Sequence, residues 1–271
     1  MSFIRDGVEY KAADAHAHIY PEKIAEKATA NVGAFYNFEM ENIGRSEDLL
    51  KMGSENGMDK YLISSVATKL EQVRSITTFI AGECQKHPEF IGLGAWHQDV
   101  KDIEAEFDFI ESLGLKGIKL HPDFQKFDID DERMIPVYKE AAKRKLVVLF
   151  HMGDYRTDYS HPQKLMNVLK VVPDFICVAA HLGGYTVWDT AFEILKGANV
   201  YVDSCSSLPL MPKEDAIRNI KHFGVDKVLF GTDFPMWSHK TELDRFFDLG
   251  FSEEDNRKML YENFKKLYNL E

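Results

Sequence analysis

The run LVVLFH at residues 146–151 consists of five apolar residues and a terminal histidine. An uninterrupted apolar run of this length is typical of a strand buried on both faces, as in a parallel sheet covered by helices. The runs FICVAA at residues 175–180 and KVLFG at residues 227–231 have a similar character. Parallel strands need long crossover connections, which are usually helical, so these runs predict a fold of the α/β class.

Strand-like runs recur along the chain, mostly at intervals of about 25–30 residues, close to the length of a βα unit. The predicted strands are Lys11–His16, Lys60–Val66, Phe90–Trp96, Gly117–His121, Leu146–His151, Phe175–His181, Asn199–Ser204 and Lys227–Asp233. Helical periodicity predicts helices over Val100–Leu113, Asp131–Lys145, Pro162–Val171, Tyr185–Lys196, Lys213–Phe223 and from Ser252 to about Tyr268. Eight β/α repeats without a Pro/Gly/Ser-rich linker predict one domain over residues 1–271, a single (β/α)8 TIM barrel.

The interval between the first and second predicted strands is longer than the others and covers about residues 20–59. It contains two helix-like stretches, Pro21–Val32 and Ser46–Asn56. They form either an ordinary helical insertion or a lid over the loop that follows the first strand. Loops at this end of a barrel commonly contact the substrate, so a lid here would take part in substrate binding.

The composition excludes several classes of protein. With 271 residues, 45% of them hydrophobic, the chain can bury one large core. Its formal net charge of -11 is opposite to the basic surface of a nucleic-acid-binding protein. Three widely separated cysteines, Cys84, Cys177 and Cys205, do not form the pattern of a disulfide framework.

The sequence also lacks the patterns of export and of membrane insertion. The first residues, MSFIRDGVEYK, contain no apolar signal core, and no run approaches the roughly 18 apolar residues of a membrane span. We therefore expect a cytoplasmic protein with a small-molecule substrate and with neither nucleic acid nor membrane as a partner. If the chain assembles, a homodimer is the commonest form.

Histidines and an aspartate stand at the ends of several predicted strands. His16 and His18 are two residues apart, so they face the same side at the end of the first strand. His151, His181 and Asp233 end the fifth, sixth and eighth strands, and these ends converge on one rim of a barrel. Each residue alone has an ordinary structural explanation, but their joint placement favours a metal site. Imidazoles with a carboxylate suit Zn²⁺, and also Mn²⁺, Fe²⁺ or Co²⁺.

The motifs DAHAH (14–18), FHMGD (150–154), AHLGG (180–184) and GTDFP (231–235) resemble those of the amidohydrolase superfamily. They are more similar still to its branch that includes aminocarboxymuconate-semialdehyde decarboxylase, resorcylate decarboxylase and pyrone-dicarboxylate lactonase. The resemblance covers essentially the whole chain, up to the segment LYEN at residues 260–263. Together the motifs are specific for the superfamily and much less specific for one reaction.

By this resemblance, a single divalent ion, in the first place Zn²⁺, would be bound by His16, His18, His151 and Asp233. Asp233 would also accept a proton as the general base. His181 would lie nearby as an acid or base, or as an additional ligand. By alternation Asp14 faces with His16 and His18 one step deeper in the barrel, so we expect it to be a buried partner that orients a ligand.

Lys119 stands close to the position where binuclear relatives carry a carboxylated lysine, at the end of the fourth strand. It leaves room for a second ion, although the resemblance favours one. Lys119 is alternatively a cationic anchor for the substrate or an ordinary charge at a strand end. His121 faces the same side as Lys119 and is expected to line the site, as a ligand or a proton relay, unless it is only a loop histidine ahead of Pro122.

Three further residues are candidates for binding the substrate. Arg156 follows the fifth strand and can grip a carboxylate through a bidentate pair, although a surface salt bridge explains it equally well. Trp96 and Trp237 follow the third and eighth strands. They would either form walls for an aromatic or dienoate substrate or pack in the core.

The leading functional hypothesis is hydrolysis of a small, carboxylate-bearing ester, lactone or amide through water activated by the ion. His181 or Lys119 would steady the oxyanion. Non-oxidative decarboxylation of a small aromatic or dienoic acid would use the same ligands, so spacing does not separate the two reactions. A deoxyribonuclease-like barrel and a non-catalytic metal-binding barrel are further alternatives; the former usually has a glutamate where this chain has Lys119-Leu120-His121.

Overall fold

The computed structural model describes residues 1–270, so Glu271, the last residue of the predicted domain, lies outside the described part. An antiparallel hairpin precedes the barrel, with strands β1 (Phe3–Arg5) and β2 (Val8–Tyr10). The other strands are β3 (Ala12–His18), β4 (Met58–Ser64), β5 (Phe90–Gly92), β6 (Gly94–Ala95), β7 (Gly117–Leu120), β8 (Val147–Phe150), β9 (Cys177–Ala179), β10 (Tyr201–Asp203) and β11 (Val228–Leu229). Strands β5 and β6 follow one another as two parts of one barrel strand.

The parallel strands form a ring of two hydrogen-bonded arcs. One arc has the order β3-β4-β5, and the other has the order β6-β7-β8-β9-β10-β11. Leu93 separates β5 from β6, and its amide donates to the carbonyl of Ile63 at 3.0 Å. On the opposite side the Ala15 amide donates to the Phe230 carbonyl at 2.8 Å, which links the last strand to the first. The predicted eight-stranded barrel is confirmed.

Alternate side chains of the strands divide between two apolar layers. Leu149 belongs to the cluster that fills the barrel interior. Its neighbours Val148 and Phe150 belong to the layer between the barrel and the helices, where Phe150 packs edge-on against Tyr138 at 5.7 Å between ring centroids. Because both faces of the strand are buried, the sequence of β8 is continuously apolar.

The helices are α1 (Glu22–Tyr36), α2 (Ser46–Glu55), α3 (Val73–Lys86), α4 (Ile103–Ser112), α5 (Pro122–Gln125), α6 (Ile135–Arg144), α7 (Pro162–Val171), α8 (Trp188–Ile194), α9 (Lys213–Phe223), α10 (His239–Asp248), α11 (Glu253–Arg257) and α12 (Asn263–Leu267). A π-helical segment, Lys258–Glu262, joins the last two. Helices α1 and α2 occupy the predicted insertion. None of the helices within residues 1–270 combines the length and the apolar content that crossing a membrane requires.

Three of these helices, α3, the short α5 and α10, are missing from the set that periodicity predicts. Helix α3 is rich in β-branched residues, such as Ile76 and Thr77, which have a low intrinsic preference for helix. Tertiary packing overrides this preference, because Thr77, Ile80 and Ala81 are buried against the barrel.

Gly117 begins β7 at a point where only glycine fits. Its φ is 154°, and a Cβ atom would lie 1.8 Å from the carbonyl oxygen of Val147 on the paired strand. The neighbouring atom is backbone in a barrel strand, so it cannot rotate away.

We expect Gly117→Ala to destabilise the protein by about 3 kcal/mol or more, because the clash must separate β7 from β8. Gly82→Ala is the matched control, since a Cβ at this helical position meets nothing within 4 Å. The control should be neutral or slightly stabilising. Urea unfolding of both variants measures the difference, and equal midpoints would contradict the expectation.

Helix α10 buries a carboxylate. Glu242 is fully buried and pairs with Arg245, while its Oε2 atom has no hydrogen-bond partner within the described chain. Burial raises the pKa of Glu242 to about 7, although Arg245 acts in the opposite direction. The folded protein therefore holds a proton on Glu242 that the unfolded chain has lost by about pH 5.

A raised pKa in the folded state gives stability that is complete below the unfolded pKa and is lost as the pH rises toward 7. Between pH 5 and pH 8 the unfolding free energy should therefore fall by about 2–3 kcal/mol less in Glu242→Gln than in the unmodified protein. The measurement is urea unfolding at both pH values. Glu254→Gln, at an exposed carboxylate, is the control and should keep the full pH dependence.

Candidate active site

A cavity of about 780 Å³ lies at the C-terminal ends of the barrel strands. Its floor is formed by His16, His18, Lys119, His121, His151, His181 and Asp233. Residues of helices α1 and α3 form its walls. Active sites of TIM barrels lie at this end of the strands, so this cavity is the candidate active site.

Two imidazoles and one carboxylate converge at the floor. The Nε2 atoms of His16 and His18 are 3.2 Å apart, and Asp233 Oδ1 lies 3.5 Å from His18 Nε2 and 3.8 Å from His16 Nε2. Two nitrogens bound to one ion at about 2.0–2.1 Å in tetrahedral geometry would be separated by about 3.3 Å. These three residues, which we call the ligand group, are spaced as ligands of one divalent ion.

Two residues of the floor, His181 and Asp233, have a strained backbone conformation. Asp233 and His181 have φ values of 58° and 60°, in the left-handed region that residues other than glycine seldom occupy. The Asp233 amide donates to the carbonyl of His16 at 2.8 Å, which fixes the strained residue against strand β3. Such strain costs on the order of 1–3 kcal/mol for each residue and persists where the surroundings hold it, often at functional sites.

Asp203, at the end of β10, orients His16. Its Oδ2 atom lies 2.9 Å from His16 Nδ1, while its Oδ1 atom accepts from the His181 amide at 2.8 Å and from Cys205 Sγ at 3.0 Å. Burial alone would raise the pKa of Asp203, but the charge of His16 and the hydrogen bond to it lower the pKa to about 2. An ionised Asp203 places the His16 proton on Nδ1 and leaves Nε2 unprotonated, as binding of an ion requires.

Sequence reasoning missed Asp203. The signal was present, because Asp203 lies within the seventh predicted strand, Asn199–Ser204, next to its C-terminal end. Its significance depends on the distance to His16, which chain order does not give.

Lys119 is buried beside the ligand group. Its Nζ atom lies 2.8 Å from His16 Nε2. Burial lowers the pKa of Lys119 to about 8, and the carboxylates of Asp233 and Asp203 oppose this shift. This contact places Lys119 at the floor of the cavity. Its carboxylation and its role in the reaction stay predictions.

His151 lies at the cavity floor outside the ligand group, with its Nε2 atom 3.8 Å from Asp123 Oδ2. Its Nδ1 atom is 3.0 Å from His181 Nε2, and its buried Nε2 atom has no hydrogen-bond partner among residues 1–270. Burial, together with the charges of His121 and His181, holds the pKa of His151 well below its usual range, so the ring is neutral. A neutral imidazole with an unpaired nitrogen suits a metal ion. That His151 is the fourth ligand remains a prediction.

His121 and His151 are too nearly parallel to share an ion. Their ring centroids are 4.0 Å apart with an angle of 6° between the planes, and Phe124 stacks on the other face of His121 at 3.7 Å. An imidazole nitrogen directs its lone pair in the plane of the ring, and one ion cannot lie in two stacked planes. The close group of His121, Asp123 and His151 is therefore not a second metal site as it stands.

Tyr36, at the end of α1, brings a hydroxyl group into the cavity. Its oxygen lies 2.9 Å from His121 Nε2. His121 Nδ1 accepts from the Phe124 amide at 3.3 Å, so in a neutral ring Nε2 carries the proton and donates it to Tyr36. The hydroxyl hydrogen of Tyr36 is then free to point to a substrate. Sequence reasoning missed Tyr36, since it lies beyond the helix predicted to end at Val32.

Asp14 acts on the backbone on both sides of the ligand group. Its Oδ1 atom accepts from the amides of His16 and Thr232, at 3.1 and 3.0 Å. The pairing of β3 with β4 shifts register after Asp14, and both Ala15 and His16 point inward. Asp14 therefore faces outward, 3.0 Å from His239 Nε2, and not to the side of His16 as alternation predicts.

Trp237 supports Asp233 instead of forming a cavity wall. Its Nε1 atom donates to Ser206 Oγ at 3.1 Å, and Ser206 Oγ donates to Asp233 Oδ2 at 2.6 Å. This chain of hydrogen bonds holds one carboxylate oxygen and leaves Oδ1 directed toward the histidines.

Arg156 and Trp96 are placed away from the reacting groups. Arg156 Nε donates to Asp154 Oδ1 at 2.8 Å, and its Nη1 atom donates to the Phe35 carbonyl at 2.6 Å. Its guanidinium thus fastens the end of α1 to the loop after β8. Trp96 is fully buried and stacks on Phe107 at 4.6 Å, among core residues.

We expect Asp203→Asn to weaken binding of Zn²⁺ or Mn²⁺ by about 10–100-fold, because an amide no longer fixes the His16 tautomer. Titration with the metal against a competing chelator measures the affinity. Asp226→Asn, at an exposed carboxylate near the start of β11, is the control and should bind normally. Thermal unfolding of the metal-free variants separates a lost fold from a lost ligand. An unchanged affinity would contradict the orienting role of Asp203.

Similar folds occur among solved structures. A TIM-barrel protein from Bordetella bronchiseptica is 19% identical, with a TM-score of 0.77 over 95% of this chain and 98% of that one. The 2,6-dihydroxybenzoate decarboxylase from Rhizobium is 16% identical, with a TM-score of 0.73 over 96% and 99%. A Pseudomonas putida protein described as a 2-pyrone-4,6-dicarboxylic acid hydrolase is 16% identical, with a TM-score of 0.67 over 95% and 97%. At these identities the likeness shows the TIM-barrel fold.

Among curated proteins, none is significantly similar in sequence to this chain. The family model described as amidohydrolase matches residues 13–270, which is nearly the whole chain. The chain therefore belongs to the amidohydrolase family and is a metal-dependent enzyme, as the motifs at its strand ends predict.

Proposed function

We propose that the protein hydrolyses an ester, lactone or amide of a small carboxylate-bearing molecule. The observation that carries the proposal is the position of Asp233. Ser206 holds one oxygen of this carboxylate, and the other oxygen lies within 3.8 Å of both His16 Nε2 and His18 Nε2. Asp233 can therefore accept a proton from water at the point where the ligands converge.

The ligand group fits a divalent ion, because its donors are imidazole and carboxylate and because these donor atoms lie within 3.8 Å of one another. His16, His18 and Asp233 would hold the ion, with His151 as the proposed fourth ligand. The ion would supply positive charge that polarises a carbonyl group and makes water more acidic. One Zn²⁺ is our first choice. A dihydroxybenzoic acid decarboxylase from Polaromonas, 14% identical, binds manganese, so Mn²⁺ is tested with it.

The residues around the ligand group have separable roles in hydrolysis. Asp233 takes the proton of the attacking water and returns it to the leaving group. Lys119, buried at the floor, opposes the negative charge that develops on the carbonyl oxygen. The free hydroxyl hydrogen of Tyr36 donates to the same oxygen or to the substrate carboxylate. Burial holds the pKa of Tyr36 well above its usual range, so the phenol keeps its proton.

Decarboxylation is the second candidate. The observation that favours it is the ammonium group of Lys119, which is buried at the floor beside the ligand group and can protonate the carbon that loses CO₂. The names of similar proteins agree, since one structure of 2,6-dihydroxybenzoate decarboxylase contains 2,6-dihydroxybenzoate. In this reaction Lys119 would bind the carboxylate before it leaves.

We expect Asp233→Asn to lower turnover by about 10²–10⁴-fold while elemental analysis still finds metal, since the amide can bind an ion but cannot accept the proton. The assay follows acid release from lactones and esters, and CO₂ release from hydroxybenzoates, with Zn²⁺ or Mn²⁺ supplied. Asp226→Asn is the matched control and should turn over normally.

Near-normal turnover of Asp233→Asn would show that Asp233 is not the base. Release of CO₂ without hydrolysis of any lactone or ester would replace the first candidate by the second. Protein prepared without chelators that binds none of Zn²⁺, Mn²⁺, Fe²⁺ or Co²⁺ would overturn both.

A further inference from the structure

Apolar side chains form the upper part of the cavity. Helices α1 and α3 face each other across it and contribute Ile24, Ala28, Val32, Phe35, Ile76 and Phe79. The four residues of α1 are spaced by three or four positions, so they share one face of the helix. We call the space between these six side chains the α1–α3 cleft. It is continuous with the floor that carries the ligand group.

Helix α1 turns its larger apolar residues away from the protein core. Its buried residues are small: Ala25, Thr29 and Gly33. They pack against the loop that follows the helix, and a Cβ on Gly33 would lie 2.7 Å from the carbonyl oxygen of Phe38. By contrast, Ile24 is 50% exposed and Phe35 is 38% exposed. A surface helix normally buries its large apolar side chains, so this arrangement keeps apolar area available to something that enters the cavity.

The polar residues of the α3 wall are already engaged with one another. Gln72 Oε1 accepts from the amides of Thr68 and Lys69, at 2.9 and 3.1 Å. Ser75 Oγ donates to the carbonyl of Gln72 at 3.0 Å. The wall therefore presents mainly carbon atoms to the cleft, whereas the imidazoles, Lys119 and Asp233 gather at the floor.

The volume of the cavity exceeds what a small dicarboxylic acid would fill. Its 780 Å³ corresponds to roughly 26 water molecules at about 30 Å³ each. A reacting carbonyl or carboxylate occupies only the polar floor. Binding cavities hold most of a ligand's surface against their own lining. Because the lining above the floor is apolar, the part of a ligand that lies there should be apolar too.

We propose that the α1–α3 cleft binds an aryl or alkyl group of the substrate, whose carboxylate or carbonyl lies at the floor. This inference rests on the proposed function, since it takes the cavity as the substrate site. It assigns the substrate to the apolar-substituted carboxylic acids and their esters. A side chain from a second copy of the protein is the alternative occupant of the cleft.

The test measures the affinity of the Zn²⁺- or Mn²⁺-loaded protein for benzoate and for its 4-ethyl, 4-butyl and 4-hexyl derivatives by calorimetry. Burial of a methylene group strengthens binding by about fourfold, so the dissociation constant should fall steeply along the series. Ala28→Phe fills the cleft from the α1 wall and should abolish this gradient while benzoate still binds. Ala30→Phe, on the exposed face of the same helix, is the matched control and should keep the gradient.

Several results would overturn the inference. They are equal affinities along the series, no binding of any member, and a gradient that survives Ala28→Phe. A dimer in sedimentation that dissociates in Ala28→Phe, without a gradient in the unmodified protein, would assign the cleft to a second copy. Turnover without a gradient refutes only this inference. A gradient together with neither hydrolysis nor CO₂ release refutes only the proposed function.

Discussion

The carboxylate of Asp14 joins the two strands between which the barrel closes. One of its oxygens accepts from the amide of His16 on the first strand and from the amide of Thr232 beside the last. The first amide belongs to a ligand, His16, and the second directly precedes another ligand, Asp233. Closure of the sheet and assembly of the ligand group are therefore the same event. The side chains of His16 and Asp233 therefore depend on this seam for their positions.

The charged groups at the floor are buried, and the positive charge of Lys119 lies near the negative charges of two carboxylates. Burial lowers the pKa of His16 to about 4, which keeps the imidazole neutral and able to bind a cation. Burial also lowers the pKa of Lys119, but two carboxylates, Asp203 and Asp233, surround it and retain much of its charge. Charges that face each other in a dry site interact more strongly than in water.

The fold and the ligand group could be predicted because both follow from short-range patterns. Continuous apolar runs identify parallel strands, and a polar residue at the end of a run marks the rim of a barrel. The remaining features depend on tertiary distances. The irregularity in β3 breaks the alternation on which the expected side of Asp14 rested. Asp203 stood at a strand end but had no motif around it. Tyr36 lies in the insertion, whose contacts no periodicity gives.

The fastening of α1 by Arg156 has a consequence for how such an enzyme can diverge. The ligands lie on or just after barrel strands, whereas one wall of the cavity belongs to an insertion held by contacts such as those of Arg156 and Tyr36. Exchange of that segment would change which molecules enter while the ligand group stays in place, although Tyr36 would be exchanged with it. The ligand group and most of the apolar wall are thus encoded in separate stretches of the chain, and each can evolve while the other is conserved.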